Sequence, residues 1–292
     1  MKPSVFIILV NFNGYEDTIK CIESLKNINY ANYDIVVVDN GSTVQPTNQQ
    51  INYLKNNVIL LEMKSNLGFS GGNNIGISYA KKHGAEFVLL LNNDTTVEKN
   101  FLSILVQTAL SNADAGIVGG KIRYYSEPNK IWFGGGTYNF DNGFVNHQRM
   151  NELDENSSSK IKEITFMTGC LMLIPINVID NIGLLDESFF LYAEDAEFSC
   201  RVLKKGYKII YCEDSIIYHK VSSSTKAGSF NSQYYNVRNN LYVAKKYCNH
   251  IFKSYRTLGM FWIKLVLKRR MNLMPVLRGW LDYSRGITGS IK

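Results

Sequence analysis

Two segments decide the fold: VVVDNGS at residues 36–42 and FVLLLNND at residues 87–94. Each is a short apolar run, rich in Val or Leu, that leads into polar residues and an acid. Such runs are typical of buried strands. Ligands of open α/β sheets bind beyond the carboxyl ends of the strands. We therefore expect Asp39 and Asp94 to line one cleft.

The neighbouring segments alternate between strand and helix patterns. Strands are predicted at about residues 4–10, 34–39, 57–63, 86–91, 115–122 and 206–212, and helices at about 15–28, 98–111, 175–181 and 194–205, with another from Ser70. A turn rich in Pro, Gln and Asn follows residue 39, and irregular or hairpin structure is expected at 123–165. This alternation predicts an α/β fold with a mostly parallel sheet flanked by helices.

Composition narrows the class of protein. The 292 residues are 45% hydrophobic, which is enough for a continuous core. Five cysteines without C-x-x-C spacing support neither a disulfide framework nor a zinc site, so we expect reduced thiols. The first residues, MKPSVFIILVNFNG, are interpreted as a strand and not as a signal peptide.

Charge is distributed unevenly along the chain. Residues 245–292 contain eleven Lys or Arg and the single acid Asp282, whereas the other residues contain 21 basic and 24 acidic side chains. Apolar runs in LGMFWIKLVLKRRMNLMPVL (258–277) are too short to span a bilayer, which takes about 20 residues. The tail is either an amphipathic helix on an anionic membrane surface or a solvated helix packed on the body.

NLGFSGGNNIG (66–76) places four glycines and three asparagines at a predicted helix start. Free N–H groups there suit a phosphate or a polar sugar. Neither G-x-G-x-x-G nor G-x-x-x-x-G-K-[ST] is present, which argues against a dehydrogenase or an ATPase. Close helix–strand packing is the alternative explanation for the glycines.

Six acidic or imidazole side chains are candidates for chemistry. Asp39 could accept from a pyrimidine N3–H or cap its turn, and Asp94 could ligate a divalent cation with help from His219, unless that histidine is structural. Glu194, Asp195 and Glu197 crowd one helical turn. Either they complement the helix N-terminus, or one of them is a general base.

Eight segments, in order, closely resemble the family 2 glycosyltransferases, especially their bacterial rhamnosyltransferase-like branch, over residues 4–245. They are VNFNG (10–14), VVVDNGS, NLGFSGGNNIG, LLLNND, TGCLMLIP (168–175), YAEDAEFSCR (192–201), IIYHKVSSST (216–225) and YYNVRNN (234–240). The resemblance implies a GT-A-type fold. Residues 1–230 would form the catalytic domain, with a Rossmann-like nucleotide-sugar-binding half at 1–122 and an acceptor half at 123–230. Residues 231–292 would form a helical, basic segment.

The resemblance also implies an inverting transfer from a nucleotide-diphosphate sugar to a hydroxyl of a saccharide or lipid-linked saccharide in bacterial surface polysaccharide synthesis. We favour dTDP-rhamnose, with a UDP-hexose as the alternative donor. Asp195 would be the general base. Asp94 and His219 would hold Mn²⁺ or Mg²⁺, although Asn92 replaces the first acid of the family's D-x-D element. The implied substrate-binding residues are Val10, Asn11, Asp39, Asn66, Gly72, Asn73, Asn93, Glu194 and Arg238.

Two rival functions are a sugar-phosphate nucleotidyltransferase and a non-catalytic module that binds an anionic surface. The first would need a catalytic Lys or Arg soon after strand one, but no basic residue lies between that strand and Lys20. We expect no nucleic-acid partner. We expect a cytoplasmic protein, or one peripheral on the inner face of the membrane. A homodimer contact through Phe261, Trp262, Trp280 and Tyr283 is left open.

Overall fold

The computed structural model describes residues 2–155, 160–221 and 228–291. Residues 222–225 of IIYHKVSSST lie outside the described residues. The strands are β1 Val5–Asn11, β2 Tyr33–Asp39, β3 Ile59–Glu62, β4 Phe87–Leu91, β5 Thr95–Val97, β6 Ala115–Tyr124, β7 Ile131–Phe133, β8 Gly136–Tyr138, β9 Val145–His147, β10 Ile161–Ile164, β11 Leu171–Pro175 and β12 Lys208–His219. The helices are α1 Tyr15–Leu25, α2 Asn48–Asn57, α3 Gly68–Lys82, α4 Phe101–Leu110, α5 Ile176–Ile182, α6 Glu194–Lys204, α7 Phe230–Tyr247, α8 Ile251–Leu267 and α9 Leu273–Ser284.

The main sheet has the order β10-β12-β6-β11-β4-β1-β2-β3. Strands β3, β2, β1 and β4 are mutually parallel, β11 is antiparallel to both β4 and β6, and β12 is parallel to β6. The predicted mostly parallel sheet is therefore confirmed. The central strands β1, β4 and β11 are almost entirely apolar and buried, as is usual for strands in the middle of an α/β sheet, and β4 is buried over its whole length.

Strand register brings the polar strand ends together. Asn11 at the end of β1 is paired with Asp39 at the end of β2. Residues 92–94 follow β4, which runs beside β1 in the same direction. The side chains that follow these strands therefore lie along one edge of the sheet, as the sequence predicts.

Strand β12 is longer than predicted. A register shift between Cys212 and Ile216 marks an irregularity, after which the strand continues to His219 instead of ending at residue 212. This extension pairs with β5, with His219 opposite Thr95. The pairing places His219 beside Asp94, the residue before Thr95.

Two helices differ from the sequence prediction. Helix α2 occupies Asn48–Asn57, where a turn was expected. Thr47 and Gln50 form a capping box that stabilises its start. Only Leu54 of this helix is buried, so its sequence lacks the apolar periodicity that predicts a helix. Helix α3 begins at Gly68, two residues before Ser70. The Ser70 hydroxyl does not cap it but donates to the carbonyl of Phe189 (2.9 Å).

The C-terminal helices share a small apolar cluster of their own. Val237 and Leu241 of α7 pack there with Leu258, Trp262 and Val276. Ring contacts join Trp262 to Trp280 and Tyr255 to Tyr283, so α8 and α9 run antiparallel. The homodimer contact stays a prediction, since most of these tail aromatics pack within the chain.

Helix α7 also joins the main body, because its Val243 belongs to the large core under the sheet. The domain boundary at residue 230 stays a prediction. Helix α7, which begins there, packs against both the main body and the C-terminal helices. Within the described residues, no helix combines the length and the apolar character needed to span a bilayer. All five cysteines are free thiols.

Candidate active site

A cavity of about 620 Å³ lies at the carboxyl ends of the parallel strands. Eight residues singled out in the sequence line it: Val10, Asn66, Asn73, Asn93, Asp94, Glu194, Asp195 and His219. Asn11, Asp39, Gly72 and Arg238 are not among its lining residues. Residues far apart in the chain thus converge on one cavity, but Asp39, which was expected to share a cleft with Asp94, is not among the residues that line it.

Asp39 lies just outside the lining and is held in place by its neighbours. Its Oδ1 accepts from Asn11 Nδ2 (2.9 Å) and from the Ser42 hydroxyl (2.5 Å), and its Oδ2 accepts from the Tyr15 hydroxyl (3.1 Å). Asn11 is fully buried, so its part is to orient Asp39. Nothing in the sequence pointed to Tyr15 as a partner of Asp39, because Tyr15 belongs to no motif.

Two of the four glycines of α3, Gly72 and Gly76, serve helix–strand packing. A Cβ added at Gly72 would lie 2.8 Å from Val10 Cγ1, and one at Gly76 would lie 2.5 Å from Ile8 Cγ2. Helix α3 can therefore approach β1 only because these positions lack side chains. Gly72 faces β1 instead of the cavity, whereas its neighbour Asn73 does line the cavity.

Asp94 and His219 form a buried pair, with Asp94 Oδ1 3.1 Å from His219 Nε2. The amide nitrogen of Asn92 lies 3.4 Å from the same ring nitrogen, and the Trp132 ring packs edge-on against the imidazole. Burial disfavours the imidazolium, but Cys170 and the Asp94 carboxylate favour it, and together they raise the pKa of His219 to about 10. A bound cation would have to displace that proton.

One carboxylate and one imidazole suit a divalent cation that takes its other ligands from a diphosphate. The described ranges contain no group of three or more His, Cys, Asp or Glu arranged to hold a metal. Asp94 and His219 therefore fit a cation that a phosphate-bearing substrate shares, and not a closed structural metal site.

The three acids of α6 have three different environments. Glu197 is fully buried and accepts from Arg201 (2.7 Å), Lys246 (2.7 Å) and the Tyr247 hydroxyl (2.6 Å). It is neutralised by cations and belongs to the structure of the core. The sequence alone does not distinguish the role of Glu197 from the roles of Glu194 and Asp195, because all three lie on one helical turn.

Glu194 and Asp195 both face the cavity. Burial, reinforced by the charge of Asp195, raises the pKa of Glu194 well above its ordinary value, and its Oε2 has no hydrogen-bond partner among the described residues. Asp195 instead accepts from the backbone N–H groups of Gly169 (3.1 Å) and Ala196 (2.8 Å), which favour its charged form. These N–H groups favour the carboxylate form of Asp195, whereas nothing comparable among the described residues offsets the burial of Glu194.

A family model matches more than half of the chain. Residues 6–183 match the family model for Glycosyl transferase family 2. The chain belongs to the family 2 glycosyltransferases. The predicted resemblance is thereby confirmed.

Two relatives match this glycosyltransferase over nearly its whole length. It is 26% identical to the low-salt glycan biosynthesis hexosyltransferase Agl10 of Haloferax volcanii, covering 99% of this chain and 94% of the relative. It is 23% identical to the dTDP-rhamnosyl transferase RfbF of Shigella flexneri, covering 99% and 98%. The second similarity agrees with the predicted rhamnosyltransferase-like branch.

Solved structures share the fold at low sequence identity. GalNAc-T7, solved with UDP, GalNAc and Mn²⁺, matches with a TM-score of 0.69 and 16% identity, over 87% of this chain and 50% of its own. The mannosyltransferase PcManGT of Pyrobaculum calidifontis, in complex with GDP-Man and Mn²⁺, matches with a TM-score of 0.60 and 14% identity, over 100% and 77%. The predicted GT-A-type fold is confirmed.

Arg238 of this glycosyltransferase occupies a different place from the one its motif suggested. It is fully buried, its guanidinium packs over the rings of Tyr234 and Tyr235, and its Nε donates to Asn239 Oδ1 (2.9 Å). It is thus set back from the cavity lining, so a direct contact with a diphosphate or an acceptor is not what this arrangement provides.

Other lining residues were given no role from the sequence, although four of them lie in the motif segments YAEDAEFSCR and YYNVRNN. They are aromatic or polar: Trp132, His147, Tyr192, Tyr235, Asn236 and Asn240. The two asparagines are four residues apart on α7, and their amide nitrogens donate to backbone carbonyls of the same helix. That spacing within YYNVRNN was the available signal, because residues i and i+4 share one helix face.

Proposed function

We propose that this glycosyltransferase moves a sugar from a nucleotide-diphosphate donor to a hydroxyl of a saccharide or lipid-linked saccharide, with inversion at the anomeric carbon. The observation that carries the proposal is the shared cavity of Asp94, His219 and Asp195. Similarity to a dTDP-rhamnosyl transferase favours dTDP-rhamnose as the donor, with a UDP-hexose as the alternative. Similarity to a glycan biosynthesis hexosyltransferase supports a role in glycan synthesis, which we place in the bacterial surface polysaccharide.

In this mechanism the nucleoside contacts, the cation ligands and the general base each have a separate task. Asp39, aligned by Asn11 and Tyr15, accepts from the pyrimidine, and Asn66 and Val10 flank the nucleoside. Asp94 and His219 would hold Mn²⁺ or Mg²⁺, which stabilises charge on a leaving diphosphate. Asp195 takes the proton from the acceptor hydroxyl as that oxygen attacks the anomeric carbon from the face opposite the diphosphate.

A panel of nucleotide sugars tests the proposal. With Mn²⁺ or Mg²⁺ present, we expect the protein to release dTDP from dTDP-rhamnose, or UDP from a UDP-hexose, and to require the cation. Chromatography of the released nucleotide identifies the donor. Release of nucleotide from no sugar of the panel, with or without saccharide acceptors, would contradict the proposed activity.

Substitutions of Asp195 and Asp94 should have separable effects. Asp195→Asn removes the base, which typically contributes about 10² to 10⁴ in rate, so turnover should nearly vanish while the donor still binds. Asp94→Ala removes a cation ligand and should weaken Mn²⁺-dependent donor binding itself. Calorimetric titration with dTDP or UDP and Mn²⁺ measures binding, and nucleotide release measures turnover. Near-normal turnover by Asp195→Asn would refute the base assignment.

The pH dependence follows from the environment of Asp195. Burial raises the pKa of its carboxyl, although the N–H groups of Gly169 and Ala196 oppose that shift. A base acts only as the carboxylate, so kcat/KM should fall as the pH drops through the raised pKa. We expect this acidic limb at a higher pH than about 3.9, the ordinary value for Asp. Activity that stays constant down to that value, in protein shown by circular dichroism to remain folded, would contradict the assignment.

We further propose that the tip of the α8–α9 hairpin, residues 267–274, binds an anionic membrane surface. Leu267, Met274 and Leu273 are 79%, 68% and 54% exposed. Between them lie Lys268, Arg269 and Arg270, all exposed. Apolar side chains that insert at the interface, beside cations that meet anionic headgroups, are typical of surface-bound amphipathic segments.

Vesicle sedimentation tests the tip. The protein should sediment with phosphatidylglycerol-containing vesicles at low salt and much less with pure phosphatidylcholine. The triple change Leu267→Ser, Leu273→Ser and Met274→Ser should reduce that binding without unfolding the protein, because these side chains are exposed. Leu110→Ser, at a 61% exposed position on α4, is the matched control and should leave binding unchanged. Equal sedimentation by the triple variant would remove the proposal.

A further inference from the structure

The backbone immediately before α6 is strained. Tyr192 and Ala193 have φ values of 67° and 66°, so two consecutive residues with side chains occupy the left-handed region. L-residues adopt this conformation rarely, and seldom in succession. Glu194 and Asp195 follow at once as the first residues of α6. The direction in which the two acids enter the cavity therefore depends on this turn.

Asn239 of α7 holds the turn from behind. Its amide nitrogen donates to the carbonyl of Leu191 (2.9 Å) and to that of Tyr192 (2.8 Å), which uses both of its hydrogens. The side chain is almost fully buried, so water cannot replace these bonds. Asn239 is not among the residues that line the cavity.

Arg238 determines which end of that amide faces the turn. Its Nε donates to Asn239 Oδ1 at 2.9 Å, so the oxygen must point toward Arg238 and the nitrogen toward the carbonyls. The Arg238 guanidinium is itself held over the rings of Tyr234 and Tyr235. The Arg-Asn pair of YYNVRNN thus forms a single oriented donor.

Helix α7 grips α6 at a second point two turns further on. Lys246 donates to Glu197 at 2.7 Å, and Tyr247 donates to the same oxygen at 2.6 Å. Residues seven apart lie on one face of a helix, so Asn239 and Lys246 both face α6. One helix thereby fixes both the entry and the first turn of the segment that carries Asp195.

We propose that Asn239, oriented by Arg238, is a positioning residue that holds the left-handed turn at 191–193 and thereby aims Asp195 at the acceptor hydroxyl. The proposal rests on the base role of Asp195 given under the proposed function. It assigns Arg238 and Asn239 of the YYNVRNN motif to placement of the helix that carries Asp195, and not to contact with substrate.

We call the two hydrogen bonds from Asn239 to the Leu191 and Tyr192 carbonyls the clamp. Two substitutions at position 239 distinguish the effect of the clamp from that of packing. Asn239→Ala removes the amide, whereas Asn239→Asp keeps the size and an acceptor for Arg238 but presents no hydrogens to the two carbonyls. Both variants should lower kcat for nucleotide release from dTDP-rhamnose or UDP-glucose with Mn²⁺, by up to about a hundredfold, and leave donor KM nearly unchanged. An Asn239→Asp enzyme with wild-type kcat would overturn the clamp.

Glycine provides a rescue that packing alone would not give. Gly adopts the left-handed region without steric cost, so Ala193→Gly added to Asn239→Ala should recover part of the lost kcat. Asn74 is the matched control, because its buried amide donates to the Leu185 carbonyl (2.9 Å) in the same loop but before the turn. Asn74→Ala should lower the thermal midpoint and affect kcat far less. A loss of kcat by Asn74→Ala equal to that of Asn239→Ala would show that loop stability, and not the turn, matters.

Hydrogen exchange keeps this proposal separable from the proposed function. In the full-length protein, Asn239→Ala and Asn239→Asp should speed amide exchange at residues 190–197, and Asn74→Ala should do so nearer residue 185. Unchanged exchange at the turn in both Asn239 variants would refute the clamp. If the wild-type protein released nucleotide from neither sugar, the proposed function would fail, and the exchange comparison alone would decide whether Asn239 holds the turn.

Discussion

Burial of three carboxylates on one turn of α6 is the constraint on which the rest of the site depends. An uncompensated buried charge costs several kcal/mol, so each acid needs its own solution. Glu197 takes Arg201 and Lys246 as partners, and Asp195 accepts backbone N–H groups. For Glu194, burial raises the pKa and so favours the neutral carboxyl. Two of these solutions come from outside α6, because Lys246 belongs to α7 and the Gly169 N–H precedes β11. The proposed base is therefore placed by the packing of elements that are distant in sequence.

The Asp94–His219 pair depends on strand register in a similar way. His219 reaches Asp94 because β12 continues beyond its irregularity at residues 212–216 and pairs with β5. A slip of one residue would turn the imidazole to the opposite face of the strand. The first half of β12 thus pairs with β10 and β6, and its second half, beyond the irregularity, places His219 at the cavity.

The sequence predicted those parts of the molecule that depend on local pattern. Buried strands and their polar ends are visible as apolar runs, so Asp39 and Asp94 could be placed on one edge without coordinates. Helix α2 could not be found in this way, since it buries Leu54 alone and relies on the cap at Thr47. The role of Arg238 was also out of reach. An arginine in a motif suggests an anionic ligand, and only tertiary packing shows that its partners are tyrosine rings and an asparagine.

The net charge of the tail likewise conceals two different uses of its cations. Lys246 is directed inward to Glu197, whereas Lys268, Arg269 and Arg270 surround the exposed apolar tip. The tail is therefore not a detachable anchor. Helices α8 and α9 cover Val237 and Leu241 of α7, and α7 donates hydrogen bonds to the turn that precedes α6. Truncation of the tail would disturb the cavity as well as the tip, so only substitutions of exposed residues can separate membrane binding from catalysis.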